Sequence, residues 1–300
     1  MSTTEATATE VTQTAEAAVR VRDLTKVFPG RGGGHKAVDA VSFALEPGGA
    51  LGIVGESGSG KTTIARLLIG LESATGGSMS VLGRDRSRPA RGAAERRARA
   101  RELQIVFQDP YTSLDPSQSA RAAVDEVLRH HAAAGAHPGA RSHTGPDAGA
   151  GARSGPAAAQ ARQARLAELL DQVGLTERQS HARPRDLSGG QRQRVAIARA
   201  LAADPGVLIL DEAVSALDVS IQAQILNLLV DIRARTGIAY ILISHDLAVV
   251  RQLCDSALVL RRGRVVEQGS CASILDDPAQ EYTRALRAAV PVPGWRPPER

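Results

Sequence analysis

Residues 51–71 read LGIVGESGSGKTTIARLLIGL, and the fold turns on this stretch. Leu51 to Gly55 is a short continuous apolar run, as expected of a strand buried on both faces, and Thr62 to Leu71 carries helical character. Between them GESGSGKT, residues 55–62, matches the phosphate-binding pattern GxxxxGK[ST]. The glycines Gly55, Gly58 and Gly60 let backbone N–H groups curl around phosphate oxygens, with Glu56, Ser57 and Ser59 completing the loop. Lys61 can reach the terminal phosphates, Thr62 offers a hydroxyl to Mg²⁺, and Thr63 continues into a helix whose N-terminus favours anions. Lys61 is one of three lysines, with Lys26 and Lys36, in a chain that otherwise uses arginine. A compact ammonium is selected at that position.

Moving outward, VRVRDLTKVF (19–28) and AVDAVSFALEPG (37–48) alternate apolar residues around the glycine-rich PGRGGG, so an antiparallel β region opens the fold. VLIL (207–210) and IAYILI (238–243) read as buried parallel strands. Leu166, Leu169, Leu170 and Val173 share one helix face, as do Ile221, Ile225, Leu228, Leu229 and Ile232. The expected class is therefore α/β, a parallel sheet covered by helices. Residues 1–18 are rich in Ala, Thr and Glu without periodicity and read as a disordered tail, with order starting near Val19. From 132 to 161, 21 of 30 residues are Ala, Gly or Pro, which reads as a surface insertion.

With 43% apolar and 23% charged residues, the composition is that of a globular protein, and no apolar run approaches the roughly 18 residues that cross a bilayer. No secretory signal is visible, and Cys254 and Cys271 are too few for a disulfide framework. The net charge of +5 could suggest nucleic acid, but residues 84–101 alone carry eight Arg against Asp85 and Glu95. The rest of the chain is close to neutral, and three Phe, three Tyr and one Trp provide little for base stacking. Nucleic acid is not an expected partner, and the Arg run reads as a solvated helix face, with a patch facing a partner or lipid headgroups as the alternative.

Two further motifs narrow the class of nucleotide enzyme. VLILDE (207–212) is an apolar strand ending in two carboxylates, of which Asp211 can hold Mg²⁺ and Glu212 can polarise an attacking water. Upstream, LSGGQRQR (187–194) places Ser188, Gly189, Gly190 and Gln191 at the opening of a helix, a second phosphate-binding N-terminus in one chain.

In this set the chain resembles an ATP-binding cassette (ABC) ATPase, from about Val21 to Gly269. The landmarks follow in order: the P-loop, the Q-loop glutamine Gln108 in VFQDP, the LSGGQ signature, the carboxylate pair, the D-loop SALD ending at Asp218, and the switch histidine His245 in ISHDL. The resemblance implies a RecA-like core, an antiparallel β subdomain and a helical signature subdomain, an ATPase domain over 19–272 and a C-terminal extension over 273–300. It implies ATP and Mg²⁺ as cofactors, Phe28 stacked on adenine, water activation by Glu212, γ-phosphate sensing by His245, and metal and permease coupling through Gln108. In this family two cassettes dimerise head to tail, so each nucleotide lies between one P-loop and the other chain's signature.

FQDPYTSLDP (107–116), VSALDVSIQAQILNLL (214–229) and YTRAL (282–286) are similar to the F-type ATPase subunits of oligopeptide/dipeptide importers. That resemblance implies a peripheral protein on the cytoplasmic side of the cell membrane. Its partners would be a D-type ATPase subunit or a second copy, two permease subunits and, indirectly, an extracytoplasmic solute-binding protein. Other cargoes, such as nickel, glutathione or a drug, remain open, because the membrane and extracellular subunits choose the cargo. Soluble ABC proteins of DNA repair or the ribosome typically need paired cassettes or a coiled-coil insertion, neither of which is present. The chain departs from the family pattern at Ala213, where proline is usual, and at Gln280 and Glu281, where His-Pro is usual.

Overall fold

The computed structural model describes residues 16–30, 34–132 and 155–289. The expectations for residues 1–15, for 31–33 of the glycine-rich turn, for 133–154 of the insertion and for 290–300 lie outside the described residues. Strands β1 (Val19–Phe28) and β2 (His35–Leu45) pair antiparallel, and β1 also pairs with β4 (Gly76–Val81), which carries the two-residue β5 (Arg84–Asp85) at the edge. Ala17 and Ala18, inside the stretch read as a disordered tail over 1–18, are buried.

The second sheet has the order β10-β9-β3-β8-β7-β6, built from β3 (Ala50–Val54), β6 (Leu103–Val106), β7 (Val207–Asp211), β8 (Ala239–Ser244), β9 (Ser256–Arg261) and β10 (Arg264–Ser270). The pairings of β3 with β8 and β9, of β7 with β8, and of β6 with β7 are parallel; β10 returns antiparallel on β9. Every residue of β3, β7 and β8 is buried, as the continuous apolar runs require when both faces of a sheet are covered. Leu51, Ile53, Val207, Ile209, Ile241 and Ile243 face α1 (Lys61–Leu68) and the antiparallel sheet. Leu208, Leu210, Tyr240 and Leu242 face the remaining helices.

Of the helices after α1, α2 (Gly92–Glu102) buries only Glu102 and lies outside the apolar cluster on that face; it is followed by the short α3 (Pro110–Ser113), then α4 (Ala120–Ala132), α5 (Pro156–Gln172) and α6 (Glu177–His181). After them come α7 (Gly189–Leu201), α8 (Val219–Thr236), α9 (Leu247–Leu253), α10 (Cys271–Asp276) and α11 (Glu281–Ala288). Leu166, Leu169 and Leu170 of α5 and Val173 at its C-terminal cap are buried together with Val124 of α4, and Arg162 is bonded to Asp125 at 2.9 Å across the pair. Helix α5 starts at Pro156, inside the stretch read as an insertion over 132–161. Proline is well suited to the first helical position, and the alanines after it are strong helix formers, so low complexity there conceals a helix start.

The Arg run also differs from a purely solvated face. Arg86 is buried and bonded to the fully buried Glu102, which Arg84 also reaches, so two of the eight arginines tie β5 and the residue after it to the end of α2. A buried carboxylate at this point would be costly unpaired. Glu102 lies one residue beyond the charge run, outside the stretch whose charges identify it.

Candidate nucleotide-binding site

The parallel strands end in register along one edge of the sheet. Val54 lies opposite Ser244, Ile243 opposite Asp211, and Leu210 opposite Val106. The P-loop after β3, His245 after β8, Glu212 after β7 and Gln108 after β6 are therefore delivered to the same carboxyl edge, where open α/β sheets bind ligands.

The P-loop conformation explains its glycines. Gly55 (φ 151°), Gly58 (φ 76°) and Gly60 (φ 109°) all adopt backbone geometry that favours glycine. A Cβ on Gly55 would lie 2.2 Å from the Leu260 carbonyl oxygen, and one on Gly60 would lie 2.4 Å from that of Ala37. Glu56 and Ser57 are exposed, whereas Ser59 is buried and its hydroxyl has no hydrogen-bond partner among the described residues. A buried hydroxyl without a partner suits a ligand oxygen. Lys61 is also buried, and its Nζ donates to the carbonyls of Gly55 (2.7 Å) and Glu56 (2.9 Å). Burial lowers its pKa below the ordinary lysine range, against the opposing charges of Glu212, Asp211 and Glu56.

Thr62 is exposed at the helix start, where its hydroxyl opposes the rise in the pKa of the Asp211 carboxyl, while Thr63 is half-buried in the first turn of α1. Burial first, and then the neighbouring charge of Glu212, raises the pKa of Asp211. A bound cation would reverse both effects, so this hard-oxygen pair fits Mg²⁺ shared with phosphate oxygens. Among the described residues no cluster of three or more His, Cys, Asp or Glu could hold a metal unaided.

Glu212 leaves β7 with φ 50°, a conformation that non-glycine residues adopt at a cost. Its N–H donates to Ile243 O at 2.9 Å, extending the ladder by one residue, and its Oε1 lies 3.5 Å from His245 Nδ1. Gln108 Nε2 donates to Ser215 Oγ (3.3 Å), which donates to the Glu212 carbonyl (2.9 Å). The amide of Gln108 thus meets the D-loop serine rather than Asp211. Ser215 carried no assigned role in the sequence; the D-loop motif located it, but only the fold shows what it joins. Ala213 is buried in the turn between them.

Phe28 ends β1, half-buried, with Lys26 Nζ 4.7 Å from its ring centroid. It pairs with His35, two residues from the Ala37 carbonyl that packs on Gly60. The signature is built separately. Ser188 caps α7 by accepting from Gln191 N (3.3 Å), and Gln191 Oε1 accepts from Ser188 N (2.9 Å). Gly190 lets α7 approach α8, since a Cβ there would lie 2.4 Å from Ile221 Cγ2; Gly189 faces Leu217. Asp218 caps α8 through Ile221 N at 3.0 Å, and that bond with the Ser220 hydroxyl lowers its pKa.

The sequence matches the protein-family model described as ABC transporter over residues 38–215. The chain belongs to the ABC transporter family. It is 43% identical over 287 residues to "Oligopeptide transport ATP-binding protein OppD" of Mycobacterium tuberculosis, covering 93% of this chain and 43% of the relative. It is 44% identical over 296 residues to "Glutathione import ATP-binding protein GsiA" of Escherichia coli K12, covering 95% of this chain and 43% of the relative. The chain thus spans less than half the length of these curated relatives. Among solved structures it is similar to the ATP-binding cassette MJ0796 in a dimeric post-hydrolysis state bound to ADP and Pi. That match has a TM-score of 0.68 at 26% identity, over 84% of this chain and 98% of that one. It also shares its fold with cbiO1 from Clostridium perfringens, with a TM-score of 0.68 at 24% identity, over 87% and 91% of the two chains. The fold is that of the P-loop ABC ATPase cassettes.

Proposed function

We propose that this ABC protein binds and hydrolyses ATP to power uptake of oligopeptides, dipeptides or similar small solutes through membrane permease subunits. The observation that carries the reading is the single sheet edge on which Lys61, Asp211, Glu212, His245 and Gln108 converge. Support for the cargo class comes from the similarity to OppD and GsiA, whose names state oligopeptide transport and glutathione import.

In this reading the P-loop N–H groups and Ser59 cradle the phosphates, and Lys61 exchanges its two carbonyl partners for phosphate oxygens. Thr62 and Asp211, with Gln108 as the third candidate, would hold Mg²⁺, which would supply charge neutralisation there. Glu212 accepts a proton from the attacking water, and His245, 3.5 Å from its carboxylate, senses the γ-phosphate. The line from Gln108 through Ser215 to the Glu212 backbone would let contact at the Q-loop reorient that carboxylate. The exposed Phe107 and Tyr111 beside Gln108 suit a permease contact. The second phosphate-binding helix, α7, serves the nucleotide of a partner cassette, with Asp218 close to that junction. A D-type subunit is the partner of choice, a second copy the alternative.

The assembly would sit on the cytoplasmic face of the membrane. Among the described residues no helix is long and apolar enough to cross a membrane. The test is uptake of labelled dipeptide, oligopeptide or glutathione into vesicles holding the permease and binding protein, with and without this chain. ATP-dependent peptide uptake only with the chain supports the reading, uptake of glutathione alone moves the cargo, and uptake independent of the chain overturns it.

A further inference from the structure

The family match ends at residue 215, yet the C-terminal helix reaches back to the P-loop. Tyr282 of α11 places its hydroxyl oxygen 3.4 Å from the Glu56 N–H, which donates to it. That N–H belongs to the same peptide group whose carbonyl, Gly55 O, accepts from Lys61 Nζ at 2.7 Å. One peptide unit of the phosphate loop is therefore held at both ends, by the lysine on one side and the tyrosine on the other.

Tyr282 is itself firmly seated. Its ring lies under the Arg261 guanidinium, 4.6 Å from carbon to centroid. The chain entering α11 is tied to β10, because the Glu267 carboxylate accepts from Ala279 N (2.8 Å) and Gln280 N (3.3 Å), and the adjoining Thr283 is buried. The β9–β10 turn adds a parallel restraint, Gly263 N–H donating to Ser59 O at 2.9 Å. The loop that must meet phosphate is thus braced by the last third of the chain at Leu260, Gly263 and Tyr282.

We propose that Tyr282 is a positioning residue for the P-loop. It orients the Gly55–Glu56 peptide so that the loop N–H groups and Lys61 are preset for the phosphates, and it makes the docking of α11 a determinant of nucleotide affinity. Preorganisation of this kind acts on binding more than on the chemical step.

The test is Tyr282→Phe in the full chain, with N-methylanthraniloyl-ATP as the probe. The expected result is an ATP dissociation constant raised about three- to tenfold, the loss typical of one neutral hydrogen bond. Turnover at saturating ATP and the melting temperature should be unchanged, since the ring and its Arg261 contact remain. Tyr282→Ala, losing the ring as well, should weaken ATP binding further. Arg287→Gln, on the same helix but bonded to Asp276 O rather than the P-loop, should leave affinity as it was. Parental affinity in Tyr282→Phe would overturn the proposal. So would an affinity loss matched by a fall in melting temperature, or an equal loss in Arg287→Gln.

Discussion

Asp211 and Glu212 are neighbours in sequence and opposites in setting. Asp211 is the last buried residue of β7, and Glu212 turns outward through a left-handed backbone. Because burial and the Glu212 charge raise the Asp211 pKa above its unfolded value, this carboxyl favours folding only while it stays protonated. That contribution is complete below the unfolded pKa of about 4 and is lost as pH rises through the folded pKa. Asp211→Asn should therefore raise the melting temperature of the nucleotide-free protein at pH 7, with the gain fading toward pH 4, while abolishing ATP turnover. Calorimetry across that range checks the sign; a gain independent of pH would refute burial of the charged carboxylate as its cause. For Glu212→Gln the expectation is retained ATP binding with turnover cut by orders of magnitude, because an amide cannot take the proton from water. Dimers should then accumulate with ATP, and size-exclusion runs with and without nucleotide would reveal them.

At the scale of elements, packing decides what the motifs require. Gly190 permits the contact of α7 with α8, so Gly190→Ala should destabilise by about 1–3 kcal/mol through overpacking against Ile221. Ile221→Ala in the same chain should recover part of that loss, a coupling that urea denaturation of the four proteins of the cycle would measure. Leu169→Ala in α5 should cost about 2–5 kcal/mol, since its side chain is fully buried. The strands and helices at these sites were legible because their apolar residues repeat with the period of the element: β3, β7 and β8 as continuous runs, α5 and α8 as one-sided stripes. The start of α5 was not, because an alanine-rich helix and an alanine-rich loop share a composition. The buried Arg86–Glu102 pair was hidden for a related reason, since a charge count cannot tell which arginine a carboxylate will draw inside. In the candidate site, local motifs nominated Lys61, Asp211, Glu212, Gln108 and His245, whereas Ser215 and Tyr282 are bonded to partners 107 and 226 residues away, which no local pattern reports.

For the molecule as a whole, the proposed reading makes this cassette one half of a catalytic unit. It carries a P-loop with its carboxylates and a separate helix capped by Ser188, and in that reading the second serves another chain's nucleotide. Activity should then depend on assembly, with Gln108 and the adjoining segment from Asp109 carrying the signal from the permease. Phosphate release decides the matter, measured on the purified chain alone and after reconstitution with a D-type subunit, both permeases and peptide-loaded binding protein. Slow hydrolysis alone and strong stimulation in the complex are the expected result. Full-rate hydrolysis by the isolated chain, or stimulation by nucleic acid in place of the permease, would contradict it.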